Sequence, residues 1–205
     1  IVLEGTDGSG KATQTAALLD RLRREGVDCR KIEFPRYQEE SSALIREYLR
    51  GDFGEKPSDV NAFAASTFYA VDRYASYQQD WGGYYRQGGL VIADRYTTSN
   101  AVHQGSKLQG KERTDFFEWL FDYEYRLLGL PKPDLVIYLD VPVDQTEQNM
   151  HRREIQTGAS ADIHERDDGY LRACRVAAGE AAERFGWTKI ACTKNGVMRS
   201  IDEIH

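Results

Sequence analysis

Gly5-Thr6-Asp7-Gly8-Ser9-Gly10-Lys11 is the stretch on which the fold turns. It follows the apolar Ile1-Val2-Leu3 and runs into a helical pattern from Lys11 to Glu25, so strand, glycine loop and helix succeed one another with the spacing G-x-x-x-x-G-K. Glycines let the chain curl until its amide N–H groups point inward on an anion. The helix amino terminus adds partial positive charge, and Lys11 can reach the outer oxygens of a polyphosphate. Gly5, Gly8, Ser9, Gly10, Lys11, Ala12 and Thr13 are therefore the expected phosphate-loop residues. The motif asks for Ser or Thr after the lysine as a magnesium ligand, and Ala12 stands there. Thr13 comes next, about 100° further round the helix. Magnesium is expected to be held through water and carboxylates instead.

Outward from the loop, short apolar runs alternate with longer helical patterns, and no repeat or Pro/Gly/Ser-rich linker interrupts them. Strands are expected at Ile1 to Glu4, Cys29 to Phe34, Leu90 to Asp94, Asp134 to Asp140 and Thr188 to Cys192. Helices are expected near Lys11 to Glu25, Ser42 to Arg50, Ser58 to Trp81, Arg113 to Leu128, Asp144 to Arg153 and Asp167 to Phe185. The runs at Leu90 to Ala93 and Leu135 to Leu139 are apolar on both faces, as in parallel strands covered by helices on each side. The expectation is an α/β, three-layer P-loop sandwich with a five-stranded parallel sheet, as one domain over 1–205. Ligands of such sheets gather at the strands' carboxyl ends, here Asp94 and Asp140.

The 205 residues are 40% hydrophobic and 29% charged, which supports a packed core and excludes disordered or collagen-like chains. The longest apolar run, Leu135 to Leu139, is far below the roughly 20 residues of a membrane span, so no membrane partner is expected. Charge is 27 basic against 33 acidic residues, net −6, which disfavours a nucleic acid polymer and leaves room for a small anion held by a few placed cations. Cys29, Cys174 and Cys192 are odd in number and far apart, so a reducing, cytoplasmic setting fits better than a disulfide framework. The chain opens without Met inside a strand pattern and stops at His205 inside a helical one, which reads as trimmed ends.

Asp94-Arg95-Tyr96 closes the third strand, where a carboxylate can hold a magnesium-bound water beside a nucleotide. With the loop, this brings the chain to a family resemblance. Glu4 to Lys11, Phe34-Pro35-Arg36, Phe68-Tyr69-Ala70-Val71-Asp72-Arg73, Asp94-Arg95-Tyr96 with Ser99-Asn100-Ala101, Pro133 to Pro142, and Asp162-Ile163-His164-Glu165 follow in the order of a thymidylate kinase. The chain resembles that family, in the nucleoside monophosphate kinase branch of P-loop proteins, over essentially its whole length.

The resemblance implies ATP and Mg2+ as cofactors, dTMP as substrate, phosphoryl transfer giving dTDP, and a homodimer. It assigns Lys11 to the donor phosphates, and Asp94 to magnesium through water. Asp7 would meet the deoxyribose 3′-hydroxyl, and Arg36 and Arg95 the acceptor phosphate. Tyr69 would stack on thymine, and Arg73 would donate to its carbonyl. Ser99 lies in the same acceptor site. Asn100 can both donate and accept on a pyrimidine edge. His103 stands where relatives often carry Tyr against a ribose 2′-hydroxyl, a departure that loosens deoxyribose selectivity. The stretch 150–166 resembles a mobile lid, with Arg153 first and Arg152 second for stabilising the transferring phosphoryl group and Asp162 and Glu165 orienting either the lid arginines or magnesium-bound waters. Gly8 is small where some relatives put an arginine, which leaves the cation to the lid. Asn149 replaces an arginine that packs on adenine in relatives. The segments Phe63 to Tyr77 and Phe116 to Tyr125 supply either a dimer surface or internal core. Two other readings stand beside this one: a P-loop kinase for another nucleotide or nucleoside, and a nucleotide-binding homologue without turnover.

Overall fold

A computed structural model of the chain describes residues 1–157, 163–164 and 168–205, with the side chains of 153, 154, 156, 157 and 168 also outside the description. The chain runs β1 (Val2–Glu4), α1 (Lys11–Arg24), β2 (Cys29–Glu33), α2 (Ala43–Arg50), α3 (Ala62–Ser76), α4 (Gly82–Arg86), β3 (Leu90–Asp94), α5 (Thr97–His103) and α6 (Gly110–Phe121). It continues through β4 (Val136–Asp140), α7 (Val143–Thr157), α8 (Asp168–Phe185), β5 (Thr188–Ala191), a small β6–β7 hairpin (Thr193–Lys194 and Val197–Met198) and α9 (Ile201–Ile204). Five strands form an all-parallel sheet in the order β2-β3-β1-β4-β5. The order reverses beside β1, so the loop that leaves β1 opens into the crevice where α/β sheets take ligands.

Alternation along the strands sorts the core into two layers. Val2, Val91, Ala93, Val136 and Tyr138 face one side and pack with Ala101 and Val102 of α5, Phe116, Phe117 and Leu120 of α6, and Cys174, Ala178 and Ala181 of α8. Leu3 and Ile92 face the other side, against Leu19 of α1. Each fully buried side chain of this size contributes about 1.5–3 kcal/mol. Helices therefore cover both faces, and α1 is pinned where its amino terminus meets the glycine loop.

Three departures from the expected elements have local causes. The expected helix from Ser58 to Trp81 divides into a 3-10 turn at Pro57–Asp59, a break at Asn61, whose Oδ1 accepts from Ala64 N at 2.9 Å, then α3 and a π-helical turn at Tyr77–Trp81. Helix α6 starts at Gly110 rather than Arg113 and ends in a second π-helical turn at Asp122–Leu127. Helix α5 is absent from the expected elements, and Thr97-Thr98-Ser99-Asn100 has weak helix propensity. Burial of Thr97, Thr98, Asn100, Ala101 and Val102 holds it in place. The Phe116 to Tyr125 stripe is largely core, whereas α3 leaves Phe63, Val71 and Tyr74 exposed.

Candidate active site

At the end of β1 the loop is held from below and above. Glu4, fully buried, accepts from Gly5 N (2.9 Å), Thr98 Oγ1 (2.7 Å) and Ser99 Oγ (2.8 Å), which ties the loop to α5. Gly8 has φ of 75°, and a Cβ there would overlap the Thr146 carbonyl oxygen of α7. Asn149 Nδ2 donates to the Gly8 carbonyl at 2.9 Å, so α7 sits directly on the loop. Ser9 Oγ is buried without a protein partner. Lys11 Nζ donates to the Gly5 and Thr6 carbonyls at 2.7 and 2.9 Å, and burial, with Arg95 nearby, pushes its pKa down to about 8. Ala12, Thr13, Asp94, Asn149 and Arg152 share the groove over this loop with Arg199 and Ile201. Asp140, the other strand-end carboxylate, is instead paired with Arg175 (3.1 Å) and Lys189 (2.9 Å) and lines a separate groove.

Arg95 follows β3 with φ of 66°, a left-handed conformation that is uncommon outside glycine and turns its side chain into the crevice. One Nη pairs with Asp7, and the other lies 2.9 Å from His103 Nε2. A guanidinium only donates, so Nε2 accepts and the imidazole proton is assigned to Nδ1. Burial, reinforced by Arg95, lowers the His103 pKa well below its usual value. Burial alone would raise Asp7, but Arg95, His103 and Lys11 outweigh it and hold the carboxyl below the ordinary carboxylate range. His164 stacks on His103 at 5.8 Å between ring centroids, with its Nε2 2.8 Å from Tyr48 Oη. Burial pushes its pKa down to about 3.

A second cavity opens on the other side of this cluster. Tyr69, Arg73, Arg95, Ser99, Asn100 and His103 line it, together with Asp7. Arg73 is buried and donates from Nε and Nη2 to Glu124 at 2.7 and 2.6 Å. Arg36 stands apart from the wall. Its guanidinium is held by Asp72 Oδ1 (3.1 Å) and Ser41 Oγ (2.9 Å), while Pro35 and Tyr37 on either side of it line the cavity. Arg152 is exposed in the loop groove, whereas the side chain of Arg153, together with Asp162 and Glu165, lies outside the described residues.

Several residues of this site carry no role in the motifs. Glu4 and His164 lie within the family stretches, but their chemistry shows only once α5 and the second cavity are in place. Gln104 carries no signal in the sequence. It is fully buried, lines the second cavity, and neither of its amide atoms has a protein partner. Asp72 and Glu124 are found only through the arginines they hold.

Asp7 and Arg95 line both the groove over the glycine loop and the second cavity. A phosphate loop and a second polar cavity divided by one carboxylate–guanidinium pair define a P-loop phosphotransferase of the nucleoside monophosphate kinase class. The family model described as thymidylate kinase matches residues 3–204. The thymidylate kinase of Mycobacterium tuberculosis is 32% identical over 189 residues, covering 91% of this chain and 86% of that protein. Proteins described as probable thymidylate kinases match in Methanococcus maripaludis (28% over 205 residues, 100% and 92% coverage) and Pyrococcus abyssi (29% over 207 residues, 100% and 91%). The chain belongs to the thymidylate kinase family.

Proposed function

We propose that the chain transfers the γ-phosphoryl group of ATP to the 5′-phosphate of dTMP, giving ADP and dTDP. The observation that carries this reading is the Asp7–Arg95 pair standing between a phosphate loop and a cavity furnished with Arg73, Asn100 and Tyr69. A phosphomonoester has a second pKa of about 6, so the acceptor oxygen is already charged at neutral pH and the enzyme needs no catalytic base. Alignment and charge stabilisation then do the work.

In this reading Lys11 and the amides of Gly5, Gly8, Ser9 and Gly10 hold the donor phosphates, and the unpartnered Ser9 Oγ is a further donor turned to the same loop. Arg95 meets the acceptor phosphate from the dividing wall, and Arg36 joins it from Asp72. Asp7 takes the sugar 3′-hydroxyl, while Tyr69, Arg73 and Asn100 read the base. Gln104, with an unpartnered donor and acceptor in the cavity, joins them. The residues present fit a magnesium ion held largely by phosphate oxygens and water. Half-buried Asp94 faces the loop groove, and among the described residues no group of three His, Cys, Asp or Glu forms an all-protein cage. When bound, the ion supplies neutralisation of the phosphate charge. Arg153, with Arg152 second, provides the cation that Gly8 leaves out of the loop.

The reading includes a single domain over 1–205 with a lid at 150–166, of which 158–162 and 165–166 lie outside the described residues, and a two-fold dimer through the exposed Phe63, Val71 and Tyr74 of α3. It also includes a reducing cytoplasmic setting, in which Cys29, Cys174 and Cys192 stay unpaired. Among the described residues no helix is long and apolar enough to cross a membrane. The test is coupled ADP release with ATP and magnesium, using dTMP, dUMP, ribo-TMP, dCMP and no acceptor. Strong preference for dTMP is expected, and folded protein that binds ATP but releases no ADP in response to any acceptor overturns the reading.

A further inference from the structure

Glu124 is the most heavily bonded side chain near the acceptor cavity, and no motif assigns it a task. It is fully buried and sits on the π-helical turn that ends α6. Its Oε1 accepts from Arg73 Nη2 (2.6 Å) and Asn100 Nδ2 (3.2 Å). Its Oε2 accepts from Arg73 Nε (2.7 Å) and Thr97 Oγ1 (2.8 Å). Asn100 Nδ2 has a second acceptor in the Ser66 carbonyl at 3.2 Å.

Both partners of the Asn100 amide are oxygens that can only accept, so they fix which end of the amide is NH2. With NH2 turned to Glu124 and Ser66, Oδ1 is the end left for the cavity that Asn100 lines. Arg73 is fixed by the same carboxylate. Its Nε and Nη2 are committed to Glu124, and Nη1, which makes one 3.4 Å bond to the Tyr96 carbonyl, retains a further N–H. From these two side chains the cavity therefore receives an acceptor, Asn100 Oδ1, and a donor, the uncommitted N–H groups of Arg73, in set positions. A base edge with an N3–H donor and a C4 carbonyl acceptor matches that pair. Cytosine, with a bare N3 and a C4 amino group, sets acceptor beside acceptor and donor beside donor when it is placed in the same register.

We propose that Glu124 is a positioning residue for base selection: by locking the Asn100 amide and the Arg73 guanidinium in one orientation, it makes the acceptor site accept a thymine or uracil edge and reject cytosine. The inference rests on the proposed function. Glu124 touches no substrate atom; it works through the two side chains it holds. In Glu124→Gln an NH2 stands at one of the two positions: at Oε1 it meets Arg73 Nη2 and Asn100 Nδ2 donor against donor, and at Oε2 it meets Arg73 Nε, so either orientation breaks the lock and frees the Asn100 amide to turn its NH2 toward the cavity.

The experiment compares kcat/KM for dTMP, dUMP and dCMP in wild-type protein, Glu124→Gln and Glu124→Asp, with KM for ATP measured alongside. The ratio of two kcat/KM values on one preparation does not depend on the fraction that is folded, so partial instability of a variant leaves the result readable. Glu124→Gln should lower the dTMP-to-dCMP ratio by about ten- to hundredfold, with KM for ATP nearly unchanged. Glu124→Asp keeps a carboxylate for Arg73 but withdraws it from the longer Asn100 bond, and should fall in between. Should Glu124→Gln fail to fold altogether, the Asp variant alone decides. An unchanged ratio in the folded variants overturns the proposal. A wild-type protein that phosphorylates no pyrimidine monophosphate overturns the functional reading instead, and the two failures are distinct.

Discussion

Lys11 is the residue at which function and stability pull apart. It is buried without a carboxylate of its own, and desolvation together with the neighbouring Arg95 lowers its pKa from 10.5 to about 8. A lysine whose folded pKa is depressed binds its proton less readily when folded than when unfolded. Stability therefore rises with pH between about 8 and 10.5, and the strain of burying the charge is fully present below that window. Lys11→Met removes the titration, so the stability of wild-type relative to variant should climb by about 3 kcal/mol across that window, followed by denaturant unfolding at a series of pH values. The same variant should lose about 100- to 1,000-fold in kcat by coupled ADP release. A pH-independent difference would mean that the lysine is not strained. Gly8 poses a steric question instead. Its φ of 75° and the Thr146 carbonyl over its Cβ position exclude any side chain. Gly8→Arg, the arrangement of some relatives, should raise KM for ATP at least about tenfold and lower Tm by several degrees. A Gly8→Arg enzyme with wild-type ATP affinity would show that α7 yields easily.

Helix α3 carries much of the acceptor site because its spacing lets it. Ser66, Tyr69, Ala70 and Arg73 recur at three- and four-residue steps and face inward, with Asp72 beside them, while Phe63, Val71 and Tyr74 are left outside. Asp72, nearly fully buried, accepts from Arg36 N (2.8 Å), Arg36 Nε (3.1 Å) and Ser41 Oγ (2.6 Å), so α3 aims the arginine of the Phe34-Pro35-Arg36 loop. Asp72→Asn should raise KM for dTMP by about ten- to hundredfold and leave KM for ATP within about threefold. Parallel increases in both would reduce Asp72 to a structural residue. The same helix shows what could be read in advance. The strand–loop–helix at Gly5 to Lys11 and the two-sided apolar strands are local patterns, and the helix-covered parallel sheet follows from them, whereas the strand order β2-β3-β1-β4-β5 is seen only in the structure. Residues whose chemistry is set by side chains distant in sequence were not legible. Helix α5 is held by burial against weak propensity, Glu124 acts through partners 24 to 51 residues away, and Gln104 shows its role only through having none.

At the scale of the molecule, two ligand cavities share one wall. Asp7 and Arg95 border both, the pair is partly buried in the crevice, and Lys11 and His103 lie beside it. A phosphate arriving from either side draws on the same guanidinium, so occupancy of one cavity changes the field and the rotamers met by the other. Whatever factor a non-hydrolysable ATP analogue imposes on dTMP affinity, dTMP must impose on the analogue, because the coupling free energy belongs to the pair. Calorimetric titration of each ligand with and without the other should give equal factors, of about five- to 150-fold for a coupling of typical size. Asp7→Asn keeps the shape of the wall but removes the charge that balances Arg95, and should move the factor markedly while both single-ligand complexes still form. Glu118→Gln, which removes an exposed ion pair with Arg184 far from either cavity, should leave the factor unchanged. A coupling factor insensitive to Asp7→Asn would mean that the two nucleotides communicate by some route other than the residue pair that stands between them.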